Sequence, residues 1–351
     1  MALLSSGPPT SAPAGATASP HAGAPAHLTA PAHLAAPDRP GAAGGSAHGP
    51  RVLLTARADE LDSTLALRRV AAHLDDLRPV GPEELDPPPV AALVCDDVAA
   101  TERLLGLGVP VVHLVSGHPG PPGPLPGADT PPERALGRTH RPGWLPPSGP
   151  AARGSRPTGV LAPQRTGRSR RRAGTLLLLS LWRVPDAEAE AFATGALPAL
   201  ADAALHRTGS CAVVADTGLD LLRSALGGLA AHPGLRVLRA AEADPDALHA
   251  EAAVFLASPV LGALALAQAR RAPLALLPPL GPAQRDLAAQ VAEVLPLPSA
   301  QDPGDPALWA PPGPGGPAPA GPWQPLDPAL DDLRGAQRVA RTLRQLALAP
   351  L

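Results

Sequence analysis

One stretch, residues 249–295, constrains the fold more than any other part of the chain. In it, the apolar run Ala252–Ala257 has the length of a strand and is followed at once by Ser258 and Pro259. Serine at an N-cap with proline in the first turn is typical of a helix start. A helix-forming segment, a second apolar run and another amphipathic helix follow, with short connections. This alternation of strand and helix predicts a parallel α/β sheet.

The same stretch places polar residues where ligands bind in such sheets. Ligands lie beyond the carboxyl ends of parallel strands, where helix N-termini offer free N–H groups and a positive dipole end. Ser258 and Gln284 fall at two such helix starts, and Arg285 follows in the second. We therefore predict that an anionic small molecule binds there. The alternatives are a plain N-cap for Ser258 and solvated positions in a first helical turn for Gln284 and Arg285.

The composition excludes several classes of protein. The 29 basic and 31 acidic side chains leave a net charge of −2, which argues against nucleic acid or an anionic membrane as a bulk partner. No apolar run is long enough to span a bilayer, and no signal peptide is visible. Cys95 and Cys211 each lie in an apolar run, so we expect buried thiols without a disulfide framework. These features predict a soluble cytoplasmic protein.

Proline marks the tails and linkers. The 50 prolines crowd into residues 1–50, 117–163 and 303–328, a composition typical of linkers. The predicted parts are a disordered tail (1–49), an amino-terminal Rossmann-like domain (50–163), a basic linker (164–173), a carboxyl-terminal Rossmann-like domain (174–299), a second linker (300–326) and a terminal helix (327–351). The histidines of the tail fit no common ligand spacing, so no metal site is predicted.

Apolar runs and helix-forming segments alternate through both predicted domains. Strands are expected at 51–55, 90–95, 109–115, 175–182, 211–216, 235–239, 252–257 and 273–277. Helices are expected at about 64–77, 98–108, 186–206, 219–232, 260–271 and 283–295, with an acidic turn at 242–247. Between Gly117 and about Pro163 the pattern breaks down, and no strand is predicted there.

Several polar residues follow the predicted strands directly. Asp96 and Asp97 follow the second strand, and His118 follows the third. Facing a cleft, such groups can act as a general base toward a hydroxyl. The favoured alternative for the aspartates is capping of the next helix. Ser180 and Arg183 end the first strand of the carboxyl-terminal half. Arg183 can neutralise a diphosphate in a chain without lysine.

Two segments resemble the GT-B glycosyltransferases. The segment PPPVAALVCDDVAATERLLGLGVPVVHLV (87–115) is similar to a unit of that superfamily in which a strand ends in Asp and a helix leads to the next strand. The segment AEAAVFLASPVLGALALAQARRAPLALLPPLGPAQRDLAA (250–289) resembles its donor-binding stretch. The resemblance covers roughly 51–115 and 174–295, and the GC-rich composition is similar to that of the actinobacterial cytosylglucuronate (CGA) synthase-related group.

This resemblance implies a fold and a function. It implies two Rossmann-like α/β domains of GT-B type, with a nucleotide sugar held by the carboxyl-terminal domain and a small-molecule acceptor in the cleft. The implied donor-binding residues are Ser180, Arg183, Ser258, Gly262, Gln284 and Arg285. Neither a metal nor another cofactor is expected, because helix dipoles and arginine neutralise the diphosphate.

The chain departs from the pattern of these enzymes in three places. Ser63 stands near the usual histidine after the first strand, Leu266 stands where a glutamate commonly holds the ribose, and Leu287 replaces an asparagine. We expect a glycosyltransferase and keep two alternatives. Hydrolysis or epimerisation of a nucleotide sugar is distinguished by product analysis. A non-catalytic GT-B-like partner of another enzyme is favoured by the departures and opposed by the presence of Ser258 and Gln284.

Overall fold

The computed structural model describes residues 49–119, 134–146, 155–165, 167–309, 322–327, 329–330 and 332–348. The tail predicted at 1–49, apart from Gly49, and much of the second predicted linker lie outside these residues. The described part contains two Rossmann-like α/β units, each built on one parallel sheet. The predicted fold class is therefore confirmed.

The first unit carries a six-stranded sheet. Its strands are β1 (Arg51–Ala56), β2 (Arg78–Val80), β3 (Ala91–Cys95), β4 (Val111–Val115), β5 (Leu136–Thr139) and β6 (Arg156–Pro157), and its helices are α1 (Leu61–Ala71) and α2 (Val98–Gly106). The strand order is β2-β1-β3-β4-β5-β6 with every pair parallel. Because the chain leaves β1 for β2 on one side and reaches β3 on the other, the crossover point lies between β1 and β3.

The second unit has the Rossmann strand order. Its strands are β7 (Thr175–Leu179), β8 (Cys211–Ala215), β9 (Leu235–Arg239), β10 (Val254–Ala257) and β11 (Ala275–Leu276). Its helices are α3 (Asp186–Thr194), α4 (Ala196–Thr208), α5 (Leu219–Ala225), α6 (Pro245–Glu251), α7 (Leu261–Ala269), α8 (Gly281–Val294) and α9 (Pro306–Trp309), with a 3-10 turn at Gly227–Leu229. The order β11-β10-β7-β8-β9 places the crossover point between β7 and β10.

A last helix, α10 (Gly335–Leu348), returns to the first unit. Its buried residues Val339 and Leu343 share one apolar cluster with Val52 of β1 and Val112 of β4. The sequence predicts a terminal helix at 327–351, and the structure forms it over Gly335–Leu348. The first unit therefore completes its core with residues that lie far away in the chain.

Several details of the predicted elements are wrong, and four of them change the count or the bounds of elements. The helix after β1 ends at Ala71 rather than near Leu77, and the short strand β2 follows it. The helix expected at 186–206 breaks at Gly195, which has a poor helix propensity. The segment 117–163 contains β5 and β6. The acidic turn starts α6, because the Asp244 side chain caps it by accepting from the N–H of Ala247.

The two cysteines are buried thiols, as predicted, and both belong to apolar strands. None of the helices in the described part of the chain combines the length and the apolar character that a bilayer span requires. Among the same described residues, no three histidine, cysteine, aspartate or glutamate side chains are grouped so that they hold a metal ion.

Candidate active site

The two units meet where the start of α1 contacts the start of α7. Asp62, in the first turn of α1, accepts hydrogen bonds from the N–H groups of Leu261 at 3.2 Å and Gly262 at 2.6 Å. The residue is only 6% exposed. A carboxylate suits this position because the free N–H groups and the dipole of a helix start both favour negative charge. The sequence predicts an anionic ligand at the start of α7. In the structure, the Asp62 carboxylate accepts hydrogen bonds from two N–H groups at that helix start.

The contact is reciprocal. Asp216, which follows β8, accepts a hydrogen bond from the N–H of Leu61 at the start of α1, at 3.2 Å. Asp216 is fully buried, and burial raises its pKa to about 6 although hydrogen bonds, above all that from Ser180, oppose the rise. Each unit therefore caps a helix of the other unit with a buried carboxylate.

Gly262 allows the two helices to approach this closely. A Cβ atom at this position would lie 2.6 Å from Cδ1 of Leu65 and 2.8 Å from Oδ1 of Asp62. Real Cβ atoms essentially never come so near to another heavy atom. In this structure Gly262, predicted as a donor-binding residue, is a point of contact between α7 and α1.

Two of the predicted donor-binding residues, Ser258 and Gln284, form hydrogen bonds with a third, Ser180. The N–H of Ser180 donates to Oγ of Ser258 at 3.1 Å, and its carbonyl oxygen accepts from Nε2 of Gln284 at 2.8 Å. Oγ of Ser180 donates to Oδ2 of Asp216 at 2.6 Å. Oε1 of Gln284 accepts from the N–H of Leu280 at 3.0 Å. These buried groups form one network at the crossover of β7 and β10, and they satisfy one another.

The prediction that Ser258 caps the next helix is wrong. The helix α7 begins at Leu261, and its N-cap residue is Val260, whose side chain has no acceptor. Oγ of Ser258 is used by Ser180, and Asp62 of the other unit supplies the missing acceptor. Leu266, at the predicted ribose position, is fully buried in the apolar core.

Carboxyl groups crowd around the contact on the side of the first unit. Asp96 follows β3 with a φ of 59°, and its carboxylate accepts from the N–H of Ser116 at 2.8 Å and from the Ser116 hydroxyl. Burial raises the pKa of Asp62 to about 7, and the charge of Asp96 adds to the rise. The pKa of Glu60 is also raised, by burial and by both of these aspartates. Raised carboxyl pKa values are typical of sites that do acid–base chemistry near neutral pH.

The other two predicted catalytic residues have different surroundings. Asp97 caps α2 by accepting from the N–H of Ala100 at 2.9 Å, which is the favoured alternative of the sequence analysis. His118 lies between the units, where its Nε2 is 2.6 Å from Oδ2 of Asp286 in α8. Its side chain is 5% exposed. The structure therefore brings His118, but not Asp97, to the start of the helix that contains Gln284.

Two arginines flank a tryptophan beside these carboxyl groups. Arg183 follows β7 with a φ of 55°, a left-handed conformation that is rare for a bulky residue. Its guanidinium lies 5.6 Å from the ring centroid of Trp182, and the guanidinium of Arg57 lies 4.1 Å from the same centroid. Both arginines lower the pKa of Glu60 and oppose its rise. Arg285 instead forms a half-exposed ion pair with Glu188 at 2.7 Å.

Three residues of this contact, Asp62, Asp216 and Glu60, were not predicted from the sequence. Asp216 carries the same signal as Asp96, because it ends an apolar run and precedes a helix. Asp62 has no local signal, since its partner Gly262 lies 200 positions further along the chain. Only the packing of the two units places these groups together.

Two Rossmann-like units with contact at their carboxyl edges, and a terminal helix that returns to the first unit, form the GT-B arrangement. The chain belongs to the CGA synthase-related family, whose model, described as "CGA synthase-related protein", matches residues 52–351. No curated protein matches the sequence.

Three solved structures illustrate what the chain is similar to. The spinosyn rhamnosyltransferase SpnG, complexed with spinosyn aglycone, is 14% identical, with a TM-score of 0.39 over 86% of this chain and 96% of that one. MnaA of S. aureus, in a structure with UDP, is 11% identical, with a TM-score of 0.43, and the match covers 84% of this chain and 95% of MnaA. UGT89C1 of Arabidopsis thaliana, complexed with UDP-L-rhamnose, is 10% identical, with a TM-score of 0.47, and the match covers 86% of this chain and 100% of UGT89C1.

Proposed function

We propose that this protein is a glycosyltransferase that moves a sugar from a nucleotide-sugar donor to a small-molecule acceptor. The observation that carries the proposal is the meeting of charged and hydrogen-bonding groups at the crossover edges of both sheets, where Asp62 contacts the start of α7. Ligands of parallel α/β sheets bind at such crossover points. Membership in the CGA synthase-related family supports the same class of activity.

The second unit supplies the donor side of the proposed site. N–H groups at the start of α7 and the guanidinium of Arg183 face the diphosphate, and together they neutralise it without a metal ion or another cofactor. The strained backbone of Arg183 supports this role, because residues held at rare φ values cluster at functional sites. The Ser180 network holds the strand ends in place and makes no direct contact with the donor in this proposal.

The first unit supplies the acceptor side. Asp96 takes the proton of the acceptor hydroxyl as the oxygen bonds to the anomeric carbon, while the bond from that carbon to the diphosphate breaks and the nucleoside diphosphate leaves. A carboxylate in hydrogen-bond reach of an attacking hydroxyl speeds such steps by roughly 10²–10⁴-fold. His118 is the second candidate for this base, because it lies between the units beside α8.

A second candidate function is a non-catalytic partner of another glycosyltransferase. The specific observation in its favour is that Asp62 already fills the start of α7, while Leu266 places an apolar side chain at the ribose position. Hydrolysis or epimerisation of the donor would use the same site as transfer, and analysis of the products from a labelled donor separates these reactions.

Thermal stabilisation by nucleotide sugars tests the proposal. We expect one of the UDP-, TDP- or GDP-sugars at millimolar concentration to stabilise the protein, by about 3 kcal/mol when its concentration is a hundredfold above its Kd. Arg183→Ala should abolish most of the shift. Arg271→Ala is the matched control, since Arg271 also has a positive φ of 46° but lies beyond the far end of α7.

Incubation with the stabilising donor and a panel of hydroxyl-bearing acceptors then tests transfer. Asp96→Asn should retain donor binding and lose at least about a hundredfold in turnover. Absence of a shift with every nucleotide sugar would rule out the proposed donor site and favour the non-catalytic partner. A shift that survives Arg183→Ala at full size would place the donor elsewhere.

A further inference from the structure

We propose that Asp62 is a displaceable latch, whose carboxylate holds the start of α7 against α1 and must leave before the diphosphate of a nucleotide binds there. This inference rests on the proposed donor site and adds its regulation: the protein is closed by an internal anion, and the donor competes with it. The latch has two arms, from Asp62 to the start of α7 and from Asp216 to the start of α1.

The geometry shows why the Asp62 contact blocks a ligand. Asp62 uses both carboxylate oxygens, one on Leu261 and one on Gly262, so these two N–H groups of α7 are already bonded. The Leu65 side chain contacts Gly262, and its Cδ1 lies 2.6 Å from the point that a Cβ atom at residue 262 would take. A diphosphate needs these N–H groups and the volume in front of them, and its charge has the same sign as the charge of Asp62. The two anions are therefore alternative occupants of one helix start.

The charges around Asp62 indicate that this contact is costly to keep. Asp96 from the end of β3 and Glu60 from the preceding loop bring further carboxyls, and Asp216 lies across the contact at Leu61. The compensating cation on α1 is Arg69, which forms a buried ion pair with Asp246 at 2.7 Å. The first turn of α7 contains no acidic residue, and its last turn no basic one. Separation of α1 from α7 returns Asp62 to water and relieves this crowding.

The latch predicts a link between protons and nucleotide binding. In the closed form the pKa of Asp62 is about 7, mainly because of burial. In an open form, where Asp62 is hydrated, we expect a pKa near the usual aspartate value of about 4. Opening therefore releases a proton between these pH values, so a nucleotide that needs the open form binds more tightly as pH rises from about 5 to about 7.5.

The experiment compares two variants that weaken the latch by different means. Asp62→Ala removes both acceptor oxygens, and Gly262→Ala places a methyl group 2.6 Å from Cδ1 of Leu65 and 2.8 Å from Oδ1 of Asp62, so that both side chains must move. Asp244→Asn is the control, because Asp244 caps α6 inside one unit by accepting from Ala247 at 3.0 Å. Hydrogen exchange at the amide of Leu61 reports opening without a nucleotide, since this amide is held by Asp216 rather than by Asp62.

We expect Leu61 to exchange about tenfold faster in both latch variants and to be unchanged in Asp244→Asn. By calorimetry, UDP, TDP or GDP should bind Asp62→Ala about tenfold more tightly than the wild type, with a flatter pH dependence. Unchanged exchange at Leu61, or weaker nucleotide binding in Asp62→Ala, would overturn the latch. If no nucleotide binds any variant, the proposed donor site fails, and the exchange data alone decide whether Asp62 closes the cleft.

Discussion

The polar side chains at the carboxyl edges of the two sheets differ in how well their hydrogen bonds and charges are satisfied. At the edge of the second sheet, Ser180, Ser258 and Gln284 satisfy one another and are buried. At the edge of the first sheet, Asp62 and Asp96 are crowded carboxyls, and each raises the pKa of nearby acids. The Ser180, Ser258 and Gln284 side chains of the second edge find their partners within their own unit, whereas Asp62 of the first edge finds its partners across the cleft.

This difference suggests that the second edge stabilises the fold and that the first edge provides the reactive groups. A satisfied buried network adds stability and fixes geometry, but it has no free group to offer a ligand. Crowded carboxyls cost stability, and such a cost is usual at functional sites. We therefore expect substitutions at the second edge to lower the free energy of unfolding, and substitutions at the first edge to change ligand binding and the response to pH.

The largest effect on stability is expected for Asp216→Ala. The substitution leaves three buried donors without their acceptor, the N–H groups of Leu61 and Leu181 and the hydroxyl of Ser180, and with them the half-buried N–H of Thr217. We expect the free energy of unfolding to fall by roughly 3 kcal/mol or more in urea denaturation. Asp220→Ala, on the exposed face of α5, should change it by less than about 0.5 kcal/mol. A similar small loss at both positions would contradict the contrast between the edges.

A smaller loss is expected for Gln284→Ala. Gln284 makes two buried hydrogen bonds, to Leu280 and to Ser180, and its removal should cost about 2 kcal/mol. Gln290→Ala in the same helix serves as the control, because Gln290 donates to the part-exposed Asp286 and should cost well under about 1 kcal/mol. Full stability of Gln284→Ala with loss of nucleotide binding would instead make Gln284 a direct ligand.

The smallest effect, taken per group and per pH unit, is the slope of the free energy of unfolding with pH. The pKa of Asp62 is raised to about 7 in the folded protein from an ordinary value of 3.8, and the pKa of Asp216 is raised to about 6. The folded protein therefore holds more protons than the unfolded chain between about pH 4 and pH 7. Across that range the free energy of unfolding should decrease as pH rises, by at most about 1.4 kcal/mol per pH unit for each group.

Chemical denaturation at several pH values, compared between wild type and Asp62→Asn, measures this slope. The variant should lose the part of the decrease that belongs to Asp62 and keep the part that belongs to Asp216. Identical slopes in the two proteins would mean that Asp62 ionises at an ordinary pKa. Burial of the Asp62 carboxyl would then cost no free energy, and the two edges would not differ in the way described above.

Much of the fold follows from local sequence. The apolar runs that became β3, β7, β8 and β10 are continuous, because strands of a parallel sheet are buried on both faces. Ser180, Ser258 and Gln284 were predicted from their places at strand ends and helix starts, and the structure does bring these three together. The weak strands β5 and β6 were missed, because short strands in proline-rich segments carry no such run.

The candidate site could be predicted only in part, for a physical reason. The rules for strand ends and helix starts describe what a residue does for its own segment, and they identify Asp97 correctly as a possible cap. They fail for Ser258 because Asp62 of the other unit takes over the cap. A contact between residues about 200 positions apart leaves no trace in local pattern. The one related feature in the sequence is Gly262, which permits a close contact with another helix but does not identify that helix.

The return of α10 to the first sheet has a consequence for synthesis on the ribosome. The core on one face of the second sheet is made of residues between Leu177 and Trp309, so it can form as soon as that segment has emerged. The first unit is translated earlier, and α1 covers part of its apolar face at Val52 and Val112, but this face is completed only when Val339 and Leu343 arrive. We therefore expect the first unit to finish folding after this core of the second, which reverses the order of translation. During that interval the incomplete face exposes apolar surface that a chaperone can bind.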